Sequence, residues 1–311
     1  MKNPLFYAKV LLFGEYGIIQ NSKGLSLPFK EFKGRLKFPK VKSEATEASN
    51  RVLRAYAENL ASLSQSGEAD LRFDVKRMKH DIERGLYFES NIPQGYGVGS
   101  SGALVAAFYK RYAKGKIEMD AEPTKEKIKR LKSVFSRMEA YFHGTSSGFD
   151  PLVCYLRIPL MIHSKTDMNT VGMSAYGRGK GAIFLLNSGA PGKTEPMISL
   201  FFEKLKNQGF RKTLAEEFIK YNNACVDSFM RGELGPLFDN VKALSTWAYY
   251  YLRPMIPKSL LEIWEQGIHS NDYYLKLCGS GGGGYVLGFT LDYDKTQSLL
   301  KDYHTELIYR I

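Results

Sequence analysis

Residues 91–108 read NIPQGYGVGSSGALVAAF, with four glycines and two serines running directly into a small-residue apolar stretch. Gly95, Gly97 and Gly99 allow backbone turns that a side chain forbids, and a close approach to a ligand. Ala103, Leu104, Ala106, Ala107 and Phe108 continue as a helix. The turn therefore feeds a helix N-terminus, where free N–H groups and the helix dipole favour an anion. Gly97-x-Gly99-x-x-Gly102 fits the pattern GxGxxG, but so does Gly279-x-Gly281-x-x-Gly284. A dinucleotide fold wants an apolar strand entering the first glycine, and here Asn91, Pro93 and Gln94 precede it. The form GxxxxGK[ST] is absent, because Ala103 and Leu104 follow Gly102. A phosphate cradle at a helix N-terminus is the expectation, with a plain surface turn as its bland counterpart.

A chain of 311 residues, 44% of them hydrophobic, makes one large or two ordinary domains with a full core. The net charge of +12 suits an anionic partner without choosing its kind. Lysines and arginines are scattered, and their local excess over residues 125–132 reads as the solvated face of a helix, so no nucleic-acid partner is expected. No apolar run is long enough to span a bilayer and no cleavable leader pattern opens the sequence, so a cytoplasmic protein with no membrane partner is expected. Cys154, Cys225 and Cys278 are odd in number, far apart and without CxxC spacing, which argues against a disulfide or zinc framework.

Residues 6–13, FYAKVLLF, form a strand whose Lys9 needs a partner or a function unless it snorkels at an edge. Glu15 and Tyr16 follow in a tight turn. Residues 44–63 predict a helix with Val52, Tyr56 and Leu60 in register, and 71–75 and 85–88 predict strands. The clearest helix is 124–142, with a stripe of Ile128, Leu131, Phe135, Met138 and Phe142. Glu139 falls at the margin of that stripe and wants a divalent cation or an arginine, unless it faces solvent. HGTSSG then breaks the helix and delivers Asp150, which taken alone reads as an N-cap. Residues 161–176 alternate weakly, and 181–187 are a strong strand. The loop SGAPGKTEP offers a boundary between domains 1–188 and 189–311. Helices follow over 197–206, 214–230, 236–252 and 258–267, then the glycine run GSGGGG and the strand YVLGFT. Trp247, Tyr249, Tyr250 and Tyr251 read as packing.

KVLLFGEYGII, IPQGYGVGSSGA, EAYFHGTSSGFD and KLCGSGGGGYVLGF, in this order, resemble the motifs of the GHMP small-molecule kinases, nearest to the mevalonate kinases among them. The resemblance implies a two-domain α+β fold, with a half similar to ribosomal S5 domain 2, a ferredoxin-like half, and the active site between them. It implies ATP and Mg2+ as cofactors, a small-molecule acceptor, and room for a homodimer. Asp150 would be the catalytic base, with Lys9 beside it. Ser101 and Glu139 would hold Mg2+. Ser90, Gly95, Tyr96, Gly97, Val98, Gly99, Ser100 and Ser101 would bind the nucleotide, with Gly281 in a second glycine wall. Glu15 and Tyr16 would shape the acceptor side. Mevalonate kinases usually carry His at Tyr16 and Thr at Cys278, and the GEY and YGxGSSGA wording is also similar to phosphomevalonate kinase.

Overall fold

The computed structural model describes residues 4–118, 123–164, 167–172 and 179–311. In chain order the elements are β1 (Phe6–Phe13), β2 (Gly24–Lys37), α1 (Glu44–Ser64), α2 (Val75–Glu83), β3 (Tyr87–Ser90), α3 (Ser100–Tyr112), α4 (Lys125–His143), α5 (Phe149–Leu156), β4 (Leu160–Ile162), β5 (Met168–Thr170) and β6 (Ala182–Asn187). They continue with α6 (Thr194–Leu205), α7 (Gln208–Thr213), α8 (Ile219–Arg231), α9 (Leu234–Tyr251), α10 (Leu261–Ser270), β7 (Tyr274–Leu277), β8 (Tyr285–Thr290), α11 (Tyr293–Leu299) and β9 (Thr305–Arg310). Two compact units result, one of Met1–Lys9, Pro28–Pro93 and Gly99–Ile158, the other of Val10–Leu27, Gln94–Val98 and Pro159–Ile311. Residues 188–196, the last three of them already in α6, lie inside the second.

In the first unit the end of β2 pairs antiparallel with β3, from Gly34 opposite Ser90 to Lys37 opposite Tyr87. Helix α3 is buried almost all round, from Gly102 to Tyr109 and again at Tyr112, as a helix apolar on every face must be. Its small residues permit close packing, and a Cβ on Gly102 would meet the Asp150 carbonyl carbon at 2.8 Å. Tyr56 of α1 packs edge-on to Phe108, with 5.0 Å between ring centres, and Tyr109 packs on Phe135 of α4 at 5.1 Å.

In the second unit β7, β8, β6 and β9 make a four-stranded antiparallel sheet in that order. The central strand β6, AIFLLN, is buried from Ala182 to Leu186, which is why it reads as a continuous apolar run. Helices α6 to α10 lie between β6 and β7 in the chain, and α11 lies between β8 and β9. The start of β2 pairs with β4, Gly24 opposite Ile162. Of the expected aromatic packing cluster, Trp247 and Tyr249 are buried while Tyr250 is exposed. All three cysteines are buried and none is in a disulfide, and among the described residues no helix is long and apolar enough to cross a membrane.

Several local expectations shift. Residues 71–75 are not a strand: the Asp74 carboxylate accepts the Arg77 N–H at 3.2 Å and starts α2 at Val75. The strand expected at 85–88 begins at Tyr87 and runs to Ser90, following β2. It stops well short of Gly95, as the case against a dinucleotide loop requires. In α1 the buried stripe is Leu53, Tyr56, Ala57 and Leu60, while Val52 is 51% exposed. Of the stretch 161–176, β4 and β5 are seen, and residues 165–166 and 173–176 lie outside the described residues.

Candidate active site

The first unit gathers Lys9 of β1, Gly99 and Ser101 at the start of α3, Glu139 and His143 of α4, Ser146 of the loop after it, and Asp150 of α5. Gly99 caps α3 in the left-handed conformation, φ 80, with no side-chain cap bond, so the amides that open α3 have no capping side chain. A Cβ on Gly99 would stand 2.8 Å from Lys9 Cγ, so the lysine stem lies directly against the turn. From there the ammonium reaches Asp150 Oδ2 at 3.0 Å. Lys9 is 4% exposed, so the ion pair replaces most of its lost hydration. The Asp150 side chain remains 38% exposed and open to another molecule.

Asp150 is not an N-cap: Gly148 takes that place with φ 73, and Asp150 lies in the first turn of α5. The reason is local, because a Cβ on Gly148 would collide with the Lys132 carbonyl at 2.3 Å, leaving room only for glycine at the bend.

Glu139 does not sit at the margin of its stripe but inside it, 4% exposed. Its Oε1 accepts the Ser101 hydroxyl at 3.0 Å, and its Oε2 accepts the Ser146 hydroxyl. Burial, then the negative charge of Asp150, push its carboxyl up to about 7 against the opposing pull of the two serines and Lys9. Ser101 also lies 3.0 Å from His143 Nε2. With its one proton given to an ionised Glu139, the Ser101 hydroxyl accepts from an Nε2–H imidazole. Burial lowers the His143 pKa, which favours that neutral form.

Ser101 and Glu139 therefore present two adjacent hard oxygens, one on a carboxylate destabilised by a like charge. A divalent cation that completes its shell with phosphate oxygens and water fits this set. No cluster of three or more His, Cys, Asp or Glu that could hold a metal occurs among the described residues, so the chain offers only part of a shell.

Ser90 ends β3 in the same unit, its hydroxyl accepting the Ile92 N–H at 3.0 Å. Gly95, Tyr96, Gly97 and Val98 belong to the second unit, where they pack on the second glycine run. A Cβ on Gly97 would lie 2.5 Å from the Cys278 carbonyl oxygen, and one on Gly284 would lie 2.5 Å from Tyr96 Cα. Gly95 accepts the Gly192 N–H at 2.8 Å. Gly281 has φ 76 and would bring a Cβ within 2.5 Å of the Met255 carbonyl oxygen. Ser100 opens α3 on the first-unit side.

Glu15 and Tyr16 are both buried in the second unit. The Glu15 carboxylate meets Lys276 Nζ at 2.7 Å, and the Tyr16 hydroxyl donates to the Ser280 carbonyl at 2.6 Å. Burial raises the Glu15 carboxyl despite Lys276. Sequence reasoning missed two participants. Lys276 carries a readable signal, a lysine inside the apolar strand YLKL, the same signature as Lys9 in FYAKVLLF. Ser146 carries none, since one serine of HGTSSG looks like another.

The description "GHMP kinases N terminal domain" fits residues 51–157. No curated protein matches the chain in sequence. The L. major mevalonate kinase solved with R-mevalonate is similar in fold, with TM-score 0.63 and 16% identity over 97% of this chain and 90% of that one. Streptococcus pneumoniae phosphomevalonate kinase, solved with phosphomevalonate and AMPPNP, gives TM-score 0.61 at 12% identity over 99% and 100%. Lactococcus lactis galactokinase with galactose gives 0.57 at 11% over 97% and 92%. Residues 51–157 match the GHMP kinase N-terminal domain, and the chain as a whole has a two-domain α+β fold similar to those of these mevalonate, phosphomevalonate and galactose kinases.

Proposed function

We propose that this protein is an ATP-dependent kinase that phosphorylates the hydroxyl of mevalonate to give 5-phosphomevalonate, in the supply of isoprenoid precursors. The observation that carries the proposal is the Lys9–Asp150 pair, 3.0 Å apart, behind the glycine turn that opens α3. Phosphoryl transfer asks a protein chiefly to position donor and acceptor and to balance charge. Asp150 accepts the proton of the acceptor hydroxyl as the new O–P bond forms to the γ-phosphorus. The bond from that phosphorus to the β–γ bridging oxygen breaks, and ADP leaves. Lys9 pairs with Asp150 before the transfer and steadies the developing alkoxide. Main-chain amides of the loop 95–101 receive the phosphates, with Ser90 at the nucleotide and Gly281 in a second glycine wall. Ser101 and Glu139 would hold Mg2+, which would supply charge neutralisation on the phosphates.

Support for mevalonate comes from the wording of HGTSSGFD and of KLCGSGGGG, and from the likeness in fold to mevalonate kinases. The net charge of +12 suits a polyphosphate donor and an acidic acceptor. The βαββαβ order and the strand sequence β7-β8-β6-β9 support a ferredoxin-like second unit. The GEY turn favours phosphomevalonate as the second reading, ahead of a sugar or homoserine. A cytoplasmic enzyme, as a monomer or homodimer, completes the proposal. A coupled ADP-release assay across mevalonate, phosphomevalonate, homoserine and galactose tests it. The highest kcat/KM is expected for mevalonate, a higher value for another acceptor moves the assignment there, and no ADP release with any of them ends it.

A further inference from the structure

The buried turn after β1 joins the second glycine run at two points. Glu15 and Lys276 form an ion pair at 2.7 Å in which both side chains are withdrawn from water. Lys276 Nζ also donates to the Leu277 carbonyl at 3.1 Å. Parting such a pair leaves two desolvated charges without partners, so the turn and the end of β7 move together. Next to it Tyr16 has φ 58 and ψ −40, a conformation that residues with a Cβ avoid. It persists where the surroundings over-determine it. Here its hydroxyl is tied to the Ser280 carbonyl at 2.6 Å, and its ring stacks on Phe201 with centres 4.4 Å apart.

The tied segment is rich in glycine. Gly279, Gly281, Gly282, Gly283 and Gly284 all have positive φ and no side chain to anchor them. Yet it meets residues 94–98 at close quarters. The Cys278 carbonyl occupies the place of a Gly97 Cβ, and the Tyr285 N–H donates to the Tyr96 carbonyl at 3.3 Å. Order imposed at Lys276 and Ser280 thus passes to the phosphate loop before any ligand arrives, and a preordered loop loses less entropy on binding.

We propose that Glu15 and Tyr16, through Lys276 and the Ser280 carbonyl, are positioning residues that brace the second glycine run against residues 94–98 and thereby set nucleotide affinity. This rests on the kinase reading of the glycine loop. Glu15 Oε2 faces Lys276 Nζ and the Tyr16 hydroxyl is donated to the Ser280 carbonyl, so in this proposal the two residues act on the nucleotide at one remove.

Tyr16→Phe keeps the ring and deletes only the hydroxyl. Titration of the full chain with ADP alone should show affinity weakened about five- to tenfold, and the steady-state KM for ATP should rise by a similar factor while kcat and the acceptor KM hold. Amide hydrogen exchange over residues 279–284 should quicken in the ligand-free variant. A merely structural role would instead lower the active fraction, reducing kcat with KM unchanged. ADP binding that Tyr16→Phe leaves unaltered overturns the brace, and so does a raised acceptor KM with ADP affinity intact. Failure of the unaltered protein to bind ADP at all removes the kinase reading and the brace together. The double variant Glu15→Gln/Lys276→Met, which strands no charge, should weaken ADP in the same direction, and unchanged affinity there overturns the brace as well.

Discussion

Lys9 backs Asp150 from the buried side: the ammonium, in a side chain 5% exposed, lies 3.0 Å from a carboxylate whose side chain is 38% exposed. The pairing sets a cation behind the carboxylate and leaves its other side open to another molecule, as the proposed role of base requires. Asp150→Asn should keep the shape and lose the proton acceptor, lowering kcat by about 10²- to 10⁴-fold while ATP affinity stays within about twofold. Single-turnover rates beside a nucleotide titration check it. Near-normal turnover removes Asp150 from the chemistry.

Glu139 gives the site a pH dependence whose sign is fixed. Its carboxyl in the fold is raised to about 7, first by burial and then by Asp150, whereas an unfolded glutamate titrates near ~4.3. Between those values the fold holds a proton that the unfolded chain has released. The contribution to stability is therefore complete below the unfolded value and is lost as pH rises through about 7. The urea midpoint of the metal-free protein should fall from pH 5 to 7.5 more steeply than that of Glu139→Gln, the difference isolating this group. Mg2+ needs the ionised carboxylate, so its affinity should rise over the same interval, and the variant should require more metal for turnover. Parallel urea profiles for the two proteins would count against the buried-carboxylate account.

Much of this site was legible because its residue types are costly where the sequence puts them. A lysine inside FYAKVLLF must find a counter-charge, and Lys9 finds Asp150. Glycines that precede an apolar helix start must bend the chain, and Gly99 does so. Helix α4, with its sustained helical period, and β6, with its unbroken apolar run, were likewise readable. Where one carboxylate oxygen pairs with one hydroxyl, only tertiary geometry decides, which is why Ser146 was hidden and Glu139 was placed a little too far toward solvent. Local competition explains the lost strand at 71–75, since the capping carboxylate of Asp74 starts α2 at Val75 and leaves only a single bridge, from Phe73 to Ala113, before it. The ion pair of Glu15 with Lys276 obeys the same rule as Lys9 and Asp150, and the lysine in YLKL was the available clue.

Gly99 and Gly115 separate contact from conformation. Both have positive φ, but a Cβ at Gly115 meets nothing within 4 Å, while one at Gly99 meets Lys9 Cγ at 2.8 Å. Alanine at either position incurs the left-handed penalty of about 1–2 kcal/mol. Gly99→Ala adds overpacking of about 1 kcal/mol or more and displaces Lys9 from Asp150. Urea unfolding should therefore rank Gly99→Ala below Gly115→Ala, and only the former should lose turnover. Equal stability and equal activity would mean that the lysine stem yields freely.

Lys276 offers a test of the second buried pair by stability alone. Lys276→Met leaves the Glu15 carboxylate buried without its counter-charge, which should lower stability by about 3–5 kcal/mol near neutral pH. Burial already raises the Glu15 carboxyl, and Lys276 is the group opposing that rise. Its removal raises the carboxyl further, so the fold can shed the charge by taking up a proton, more readily at pH 5 than at pH 8. The loss in Lys276→Met should accordingly be smaller at pH 5. Adding Glu15→Gln removes the stranded charge, so the double variant should regain most of the stability at pH 8, to within about 1–2 kcal/mol of the unaltered protein. Urea midpoints of the four proteins at the two pH values decide it. Losses that simply add, with no recovery in the double variant and no pH dependence in the single one, would show that the two side chains are not coupled through charge.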